Sequence, residues 1–469
     1  VLFNSIEFIV FFGVIFTLYW IAPKKWRWLL LLIASYFFYM SWEPIYIVLI
    51  LISTAIDYFL CLYMTGSSDQ RLRKYGLALS IFLNLGLLFT FKYLGFFQDL
   101  MQHVFHAFGA EYHASSLQLL LPVGISFYTF QTISYSIDVY RGNLPVERHF
   151  GKFALFVSFF PQLVAGPIER AGDLLPQVKR DDIKLESEDL RDGLLLFIWG
   201  LFKKVVVADQ AAMFVDTYYE SYSHQSGGFL LFATYMFALQ IYCDFSGYSD
   251  MAIGIARMLG IRLMENFKTP YFSTSMTSFW RNWHISLSTW LKDYLYIPLG
   301  GNKGGKFRTS LNLMTTMVLG GLWHGANWTF IIWGALNGFF LSIEKFFHRL
   351  LPMRGLILKG ISMFIVFHLI CLGWIFFRSQ SVGQALTILN KIVHLVPFDL
   401  YFILADNRFS GAIIGALILI FLEVQIPFQP FTAFRKKNVV YRYGIYILLI
   451  TSVLLLGVSG GAQFIYFQF

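Results

Sequence analysis

The sequence predicts an all-α integral membrane protein, and three observations carry that class. Hydrophobic residues make up 57% of the 469 positions and charged residues only 13%, about half the charged share of a soluble globular domain. Apolar runs close to the roughly 20 residues of a membrane-crossing helix recur from one end of the chain to the other, and a lipid-embedded helix satisfies its own backbone. Lys and Arg are dispersed through short connections, so the net charge of +9 suits orientation in a membrane better than nucleic-acid binding. Cys61, Cys243 and Cys371 lie in or beside apolar runs at no metal-type spacing, and neither a disulfide framework nor a zinc site is expected.

Taken in order, Ile6 to Ile21 forms the first expected span. Pro23-Lys24-Lys25 and another apolar run follow at once, without a small-residue cleavage pattern, so this helix is read as retained and not as a signal peptide. Trp28 to Met64 is divided by Glu43-Pro44 into a hairpin of two spans. The flanking clusters, Lys24, Lys25 and Arg27 before it and Arg71, Arg73 and Lys74 after it, are expected in the cytoplasm, which puts the N-terminus outside. Gly76 to Phe97 then leads outwards to Asp99 to Ser116, a stretch free of Lys and Arg. Leu117 to Tyr140 returns, bent by Pro122 and Gly124.

Phe153 to Pro167 is apolar but half a span long and bounded by prolines, as in a re-entrant or interfacial segment. Glu169 to Asp192 mixes acids and bases like an amphipathic surface helix, and its plain reading is a solvated face against lipid headgroups. Gly193 to Ala208 crosses with Lys203-Lys204 inside it, a pair expected to snorkel or face a cavity. Asp209 to Gly228 is expected as an external loop, and Phe229 to Tyr242 as the return span. Arg257 to Arg308 forms a long interior section.

Leu311 to Trp323 and Trp328 to Ile343 are two apolar arms around His324, with Lys345, Arg349, Arg354 and Lys359 inside. Ile361 to Phe377, Gly411 to Pro427 and Tyr443 to Val458 complete the spans, with Arg435-Lys436-Lys437 inside and Gln463 to Phe469 outside. Arg378, Lys391 and Arg408 suit this scheme poorly. With no useful internal repeat or linker, the expectation is one polytopic domain over 1–469, with about eleven or twelve spans plus re-entrant pieces and both termini extracytoplasmic.

Polar chemistry concentrates in 240–345. His324 sits between Gly320-Gly321 and Gly325, beside Trp323 and Trp328, where small residues admit a ligand or another helix. An ionisable residue in such a run is a functional candidate by default; the plainer alternative is a buried neutral histidine bonded to a backbone carbonyl. His284 lies in Trp283-His284-Ile285-Ser286-Leu287-Ser288-Thr289-Trp290. Two histidines in one cavity suit acyl transfer to a hydroxyl, one as general base and one as hydrogen-bonding group, because burial favours the neutral, proton-accepting imidazole. Sequence spacing leaves open whether they meet.

Asp244 and Asp250, in Cys243-Asp244-Phe245-Ser246-Gly247-Tyr248-Ser249-Asp250, stand near an expected membrane boundary and read as helix caps or as site carboxylates. Arg281, Asn282, Trp283, Ser286, Trp323, Asp244 and Lys292 are the candidate donor- or substrate-binding residues beside His324 and His284. Arg281, Lys292, Lys303, Lys306 and Arg308 offer positive charge to the phosphates of a nucleotide-bearing donor, although orientation alone also places basic residues there. Gly300-Gly301-Asn302-Lys303-Gly304-Gly305 lacks a phosphate-loop pattern. No metal ligand set is expected.

An ordered series runs through this region: Gln240-Ile241-Tyr242-Cys243-Asp244-Phe245-Ser246-Gly247-Tyr248-Ser249-Asp250, Asn266-Phe267, Pro270-Tyr271, Phe279-Trp280-Arg281-Asn282-Trp283-His284 with Ser286 and Leu291, Tyr296-Ile297-Pro298-Leu299-Gly300-Gly301, and Leu322-Trp323-His324-Gly325. With Leu2-Phe3-Asn4-Ser5 at one end and Phe464-Ile465-Tyr466-Phe467-Gln468-Phe469 at the other, it resembles the membrane-bound O-acyltransferases, within them the bacterial alginate O-acetylation branch. The resemblance covers essentially the whole chain.

The resemblance implies that His324 occupies the position of the family's essential histidine and His284 that of its second active-site polar residue. It implies a helical fold around a tunnel in the bacterial cytoplasmic membrane, an activated acyl donor such as acetyl-CoA used as a substrate, and no permanently bound cofactor. An extracytoplasmic acetyltransferase partner would complete transfer to a polysaccharide such as alginate, peptidoglycan or another cell-envelope glycan; no nucleic-acid partner is implied. Two rival readings involve no bond chemistry: a polysaccharide transporter or flippase, which inverted repeats and paired broken helices would favour, and a scaffold for an export complex.

Overall fold

Helix follows helix through the computed structural model, which describes residues 2–110, 121–180, 182–347, 355–394, 407–425, 434, 436–458 and 464–465, with no strand among them. Five helices are long and apolar enough to cross a membrane: Pro44–Gly66, Gln70–Ala107, Gly227–Met258, Leu356–Arg378 and Val439–Leu456. Shorter apolar helices occupy Ile6–Ile21, Val382–Val393 and Gly411–Val424. The protein is thus an all-helical, multi-pass membrane protein. Two compact units divide it, Val1–Leu190 with Ile255–Met264, and Arg191–Gly254 with Glu265–Phe469.

In the first unit, α1 (Ile6–Ile21) starts where the Ser5 hydroxyl accepts the Phe8 N–H at 3.2 Å. α2 (Arg27–Met40) and α3 (Ile47–Gly66) are separated at Glu43-Pro44 by a short 3₁₀ turn. Proline explains the break, since it lacks an N–H and disfavours helix in the residue before it. α4 (Gln70–Leu88) passes through a π turn at Phe89–Tyr93 into α5 (Leu94–Ala107), so the helix overruns Phe97, where the span was expected to end. Charge marks the expected water boundary, but no Pro or Gly between Phe96 and Ala107 interrupts the backbone ladder.

α6 (Ile125–Arg141) begins after Gly124, which has a φ of +77° and lies so close to α8 (Phe160–Leu163) that a Cβ would sit 2.5 Å from the Leu163 carbonyl oxygen. Only glycine suits both conditions. α3, α4 and α6 share a buried polar centre: Asp57 accepts from Ser80, from Ser136 at 2.9 Å and from Asn84 at 2.8 Å, while Ser53 donates to Asn84 at 2.7 Å.

The expected re-entrant stretch is α7 (Phe150–Ser158) followed by α8, fully enclosed from Phe153 to Leu163. Its irregular backbone is satisfied by side chains: Gln131 and Gln162 both donate to the Phe156 carbonyl, and Ser35 accepts from the Phe160 N–H. That is the condition under which a non-helical join survives inside a membrane domain.

The expected surface helix over Glu169 to Asp192 is shorter, α9 (Ala171–Lys179), with Ala171, Leu174, Leu175 and Val178 on its buried face. Glu169 is not solvated; it is 1% exposed and accepts the Met264 N–H at 2.7 Å.

The second unit holds the candidate site. α10 (Ser187–Phe202) continues through a π turn at Lys203–Ala208 into α11 (Asp209–Glu220), so most of the stretch expected as an external loop is helical. α12 (Gly227–Met258) likewise runs past Tyr242, which places Cys243 to Asp250 in mid-helix and removes the capping reading of both aspartates. These departures share a cause. Lys203 pairs with Asp250, and Lys204 lies 2.8 Å from Asp209 and 2.7 Å from Asp244, all buried or partly buried. The lysines neither snorkel nor end a span, because each has a carboxylate inside.

α13 (Met276–Asn282) and α14 (Ile285–Leu291) are one turn-pair broken at His284, and α15 (Gly305–His324) and α16 (Trp328–Phe347) form an antiparallel hairpin. The hairpin is glycine-packed. A Cβ on Gly321 would meet the Phe330 carbonyl oxygen at 2.2 Å, and one on Gly334 the Met317 oxygen at 2.4 Å, close approaches that only small residues allow.

α17 (Leu356–Arg378), α18 (Val382–Val393), α19 (Asn407–Gln425) and α20 (Val439–Leu456) complete the unit. Arg378, which suited no side of the membrane, pairs with Asp216 at 2.7 Å over the Tyr219 ring, and Lys391 donates to the Ser223 and Gln225 carbonyls. Arg349, Arg354, Arg435, the Arg408 side chain, 111–120, Gln463 and Tyr466 to Phe469 lie outside the described residues.

Candidate active site

His324 ends α15, and its position follows from the hairpin. Gly325 is extended, and a Cβ there would strike the Phe330 ring at 2.1 Å, so α16 can start immediately beyond it. Asn327 fixes that start, accepting the Thr329 N–H at 3.1 Å and donating to the Gln380 carbonyl at 3.0 Å. The imidazole meets three rings edge-on: Trp323 at 5.0 Å, Trp333 at 5.1 Å and Phe377 at 5.3 Å between centroids.

His284 stands in a different local structure. Its backbone is left-handed, φ 42° and ψ 57°, between an α13 that ends at Asn282 and an α14 that begins at Ile285. A side chain there costs about 1–3 kcal/mol and persists only where its surroundings hold it. The ring is fully enclosed, edge-on to Phe245 of α12 at 4.5 Å. Burial pushes the imidazole well below the ordinary histidine range and the neighbouring His324 adds to the shift, so His284 is neutral near pH 7.

Sequence spacing left open whether the histidines meet. Trp323 joins them: its indole lies 5.9 Å from the His284 ring and 5.0 Å from that of His324. His324 retains 4% exposure and His284 none, so His324 is the less completely enclosed of the two residues. Trp280 stacks edge-on against Trp333 at 5.7 Å, and its buried indole N–H has no hydrogen-bond partner among the described residues. Such a donor is costly to leave unmade and is available to an oxygen in the site.

Other candidates divide by location. Trp283 is buried among Phe267, Phe279 and Trp374, with centroids 5.1 to 5.4 Å away. Ser286 is buried and bonded to Asn266. Asn282 donates to Ser273 at 3.3 Å, while Arg281 and Lys292 are exposed at the ends of α13 and α14. Asp244 is taken up by Lys204 and by the Ile465 N–H at 2.7 Å. Among the described residues no group of three or more His, Cys, Asp or Glu is arranged to hold a metal.

Sequence reasoning did not single out Phe245, Trp333, Phe377 or Asn266 as site groups. Trp333 and Phe377 were hidden within apolar runs, and Phe245 within the polar series Cys243 to Asp250. Glu423 did carry a signal, a lone carboxylate in an apolar helix; it accepts from Tyr242, whose ring lies 6.2 Å from that of Trp283.

The family model for MBOAT, the membrane-bound O-acyltransferase family, matches residues 144–382, a stretch that includes both histidines. Over 386 residues the chain is 43% identical to the probable alginate O-acetylase AlgI of Azotobacter vinelandii, covering 82% of this chain and 76% of that one. The chain belongs to the membrane-bound O-acyltransferase family. It is also 38% identical to the probable alginate O-acetylase AlgI of Pseudomonas putida over 100% of both chains, and 37% identical to the peptidoglycan O-acetyltransferase of Helicobacter pylori over 80% of this chain and 74% of that one. A membrane-bound O-acyltransferase makes and breaks covalent bonds, which sets aside the transporter and scaffold readings.

Proposed function

We propose that this O-acyltransferase takes an acetyl group from acetyl-CoA on the cytoplasmic side and delivers it for O-acetylation of an extracytoplasmic polysaccharide, alginate or another cell-envelope glycan, together with an extracytoplasmic acetyltransferase partner. The names of the relatives support a polysaccharide acceptor, the resemblance supports the donor, the partner and a tunnel, and the distribution of Lys and Arg between the loops supports the placement of both termini outside. The observation that carries the chemistry is the pair of buried histidines joined by Trp323.

His324 is the general base. A hydroxyl oxygen attacks the thioester carbonyl while the His324 imidazole takes its proton; the C–O bond forms, the C–S bond breaks, and the proton passes to the departing thiolate. His284, neutral and enclosed, orients the reactants or hydrogen-bonds the carbonyl oxygen as charge develops on it. Arg281 and Lys292, both exposed, hold donor phosphates. Asn282, Trp283, Ser286 and Trp323 shape the pocket, and Asp244 contributes through its ion pair.

Reconstitution in vesicles with its partner and acetyl-labelled CoA tests this. His324→Ala at normal folded abundance abolishes labelling of the acceptor; wild-type turnover would remove the general-base role.

A further inference from the structure

Asn266 lies between α12 and α13 and makes four hydrogen bonds, three of them to the two residues that follow His284. Its backbone carbonyl accepts the Ile285 N–H at 2.9 Å; its side-chain Oδ1 accepts both the Ser286 N–H at 3.2 Å and the Ser286 hydroxyl at 2.8 Å. Its Nδ2 donates to the Ser249 hydroxyl of α12 at 3.1 Å. Two residues further on, the Lys268 N–H donates to the Asn282 carbonyl at 2.9 Å. The backbone on both sides of His284 is therefore tied to one short segment, 266–268.

These ties fall where the backbone is strained. His284 is one of two non-glycine residues with positive φ among the described residues. Freed of its neighbours' bonds it would relax to an ordinary negative φ, and that rotation swings the imidazole off Phe245 and Trp323. The carboxamide is suited to this role because one group accepts twice and donates once. Aspartate would lose the donor to Ser249 and bury a charge.

We infer that Asn266 is a positioning residue that holds the His284 imidazole against Trp323 by fixing the left-handed backbone of His284, acting through Ile285 and Ser286. This rests on the reading that His284 works in the acyl-transfer site, and it adds a residue that touches neither donor nor acceptor.

The test is acetyl transfer by reconstituted Asn266→Ala, with folded abundance checked, alongside a cryo-electron microscopy structure of the variant. A misplaced catalytic group predicts a fall in kcat of about 10²-fold with donor KM within about twofold of wild type. The structure is expected to show the His284 ring away from Trp323. Wild-type kcat, or an unmoved ring at positive φ, overturns the inference. Should Asn266→Ala accumulate poorly, Ser286→Ala carries the test. It removes one bond to the carboxamide and leaves the other, and the expected kcat loss is roughly tenfold, the rate equivalent of one hydrogen bond; an unchanged kcat overturns the inference.

His284→Ala separates the two levels. If its rate is wild type, the role of His284 itself fails. If His284→Ala is slow while Asn266→Ala is not, only the positioning role fails.

Discussion

Lys204 sets its amino group 2.7 Å from the carboxylate of Asp244 in the middle of α12, and this pair decides where two helices run. Without the lysine, Asp244 would be an uncompensated charge inside an apolar helix; without Asp244 and its second partner Asp209, the π turn of 203–208 would bury a bare ammonium. Removing one partner of a buried pair costs about 3–5 kcal/mol, whereas removing both charges together is often near neutral. Lys204→Met is therefore expected to lower the unfolding midpoint in detergent sharply. Lys204→Met combined with Asp244→Asn and Asp209→Asn should recover most of the loss. A triple variant no better than the single one would show that the charges do not compensate each other.

The α15 and α16 hairpin yields a contrast between adjacent glycines. A methyl on Gly321 would lie 2.2 Å from the Phe330 carbonyl oxygen, backbone that cannot move without parting the helices, while one on Gly320 meets only a Leu291 methyl at 3.2 Å. Gly321→Ala should cost about 1–3 kcal/mol or more from overpacking and displace His324, with acetyl transfer falling accordingly. Gly320→Ala gains helix propensity of up to about 1 kcal/mol and should keep both fold and activity. Equal behaviour of the two variants in a thermal and a turnover assay would contradict this packing.

Glu169 gives the fold a pH dependence of definite sign. Burial raises its carboxyl from 4.5 to about 8, so the folded state holds a proton that the unfolded chain gives up near pH 4.5. The contribution is fully present below pH 4.5 and is lost as pH rises to about 8, above which it no longer changes. Glu169→Gln keeps the acceptor for the Met264 N–H and removes the proton. Its stability, followed by denaturation between pH 5 and pH 8.5, should fall less steeply than that of the wild type; identical slopes would show that Glu169 ionises freely.

Much of the fold was legible, and what was missed has a common origin. Apolar run length found helices at Ile6 to Ile21, at both sides of Glu43-Pro44 and around His324, because a lipid-embedded helix must be long and apolar. Helix ends at Phe97 and Tyr242 were misplaced because a polar run was taken as the edge of the membrane, while the backbone keeps its ladder wherever polar side chains find partners, as Asp244 and Asp250 do in Lys204 and Lys203. Those partners are distant in sequence. His284 and His324 stood out as ionisable groups in apolar company, but the ring that joins them, Trp323, and the carboxamide that holds one of them, Asn266, act through geometry that no spacing records.

Arg281 and Lys292 provide the last prediction. Both are exposed, Arg281 in the last turn of α13 and Lys292 just past the end of α14, so their charges reach a ligand outside the enclosed histidines without entering the reacting centre. An interaction of that kind is present before and during the chemical step alike, and its removal raises KM while leaving kcat unchanged. Arg281→Ala and Lys292→Ala should each weaken acetyl-CoA by a few-fold. The loss should shrink as salt rises towards 1 M, where charges more than about 3 Å apart are screened. The comparison to make is with a short acetyl thioester lacking the nucleotide: its KM should be the same in the variants and the wild type. A fall in kcat with that short donor would instead place Arg281 or Lys292 at the reacting atoms.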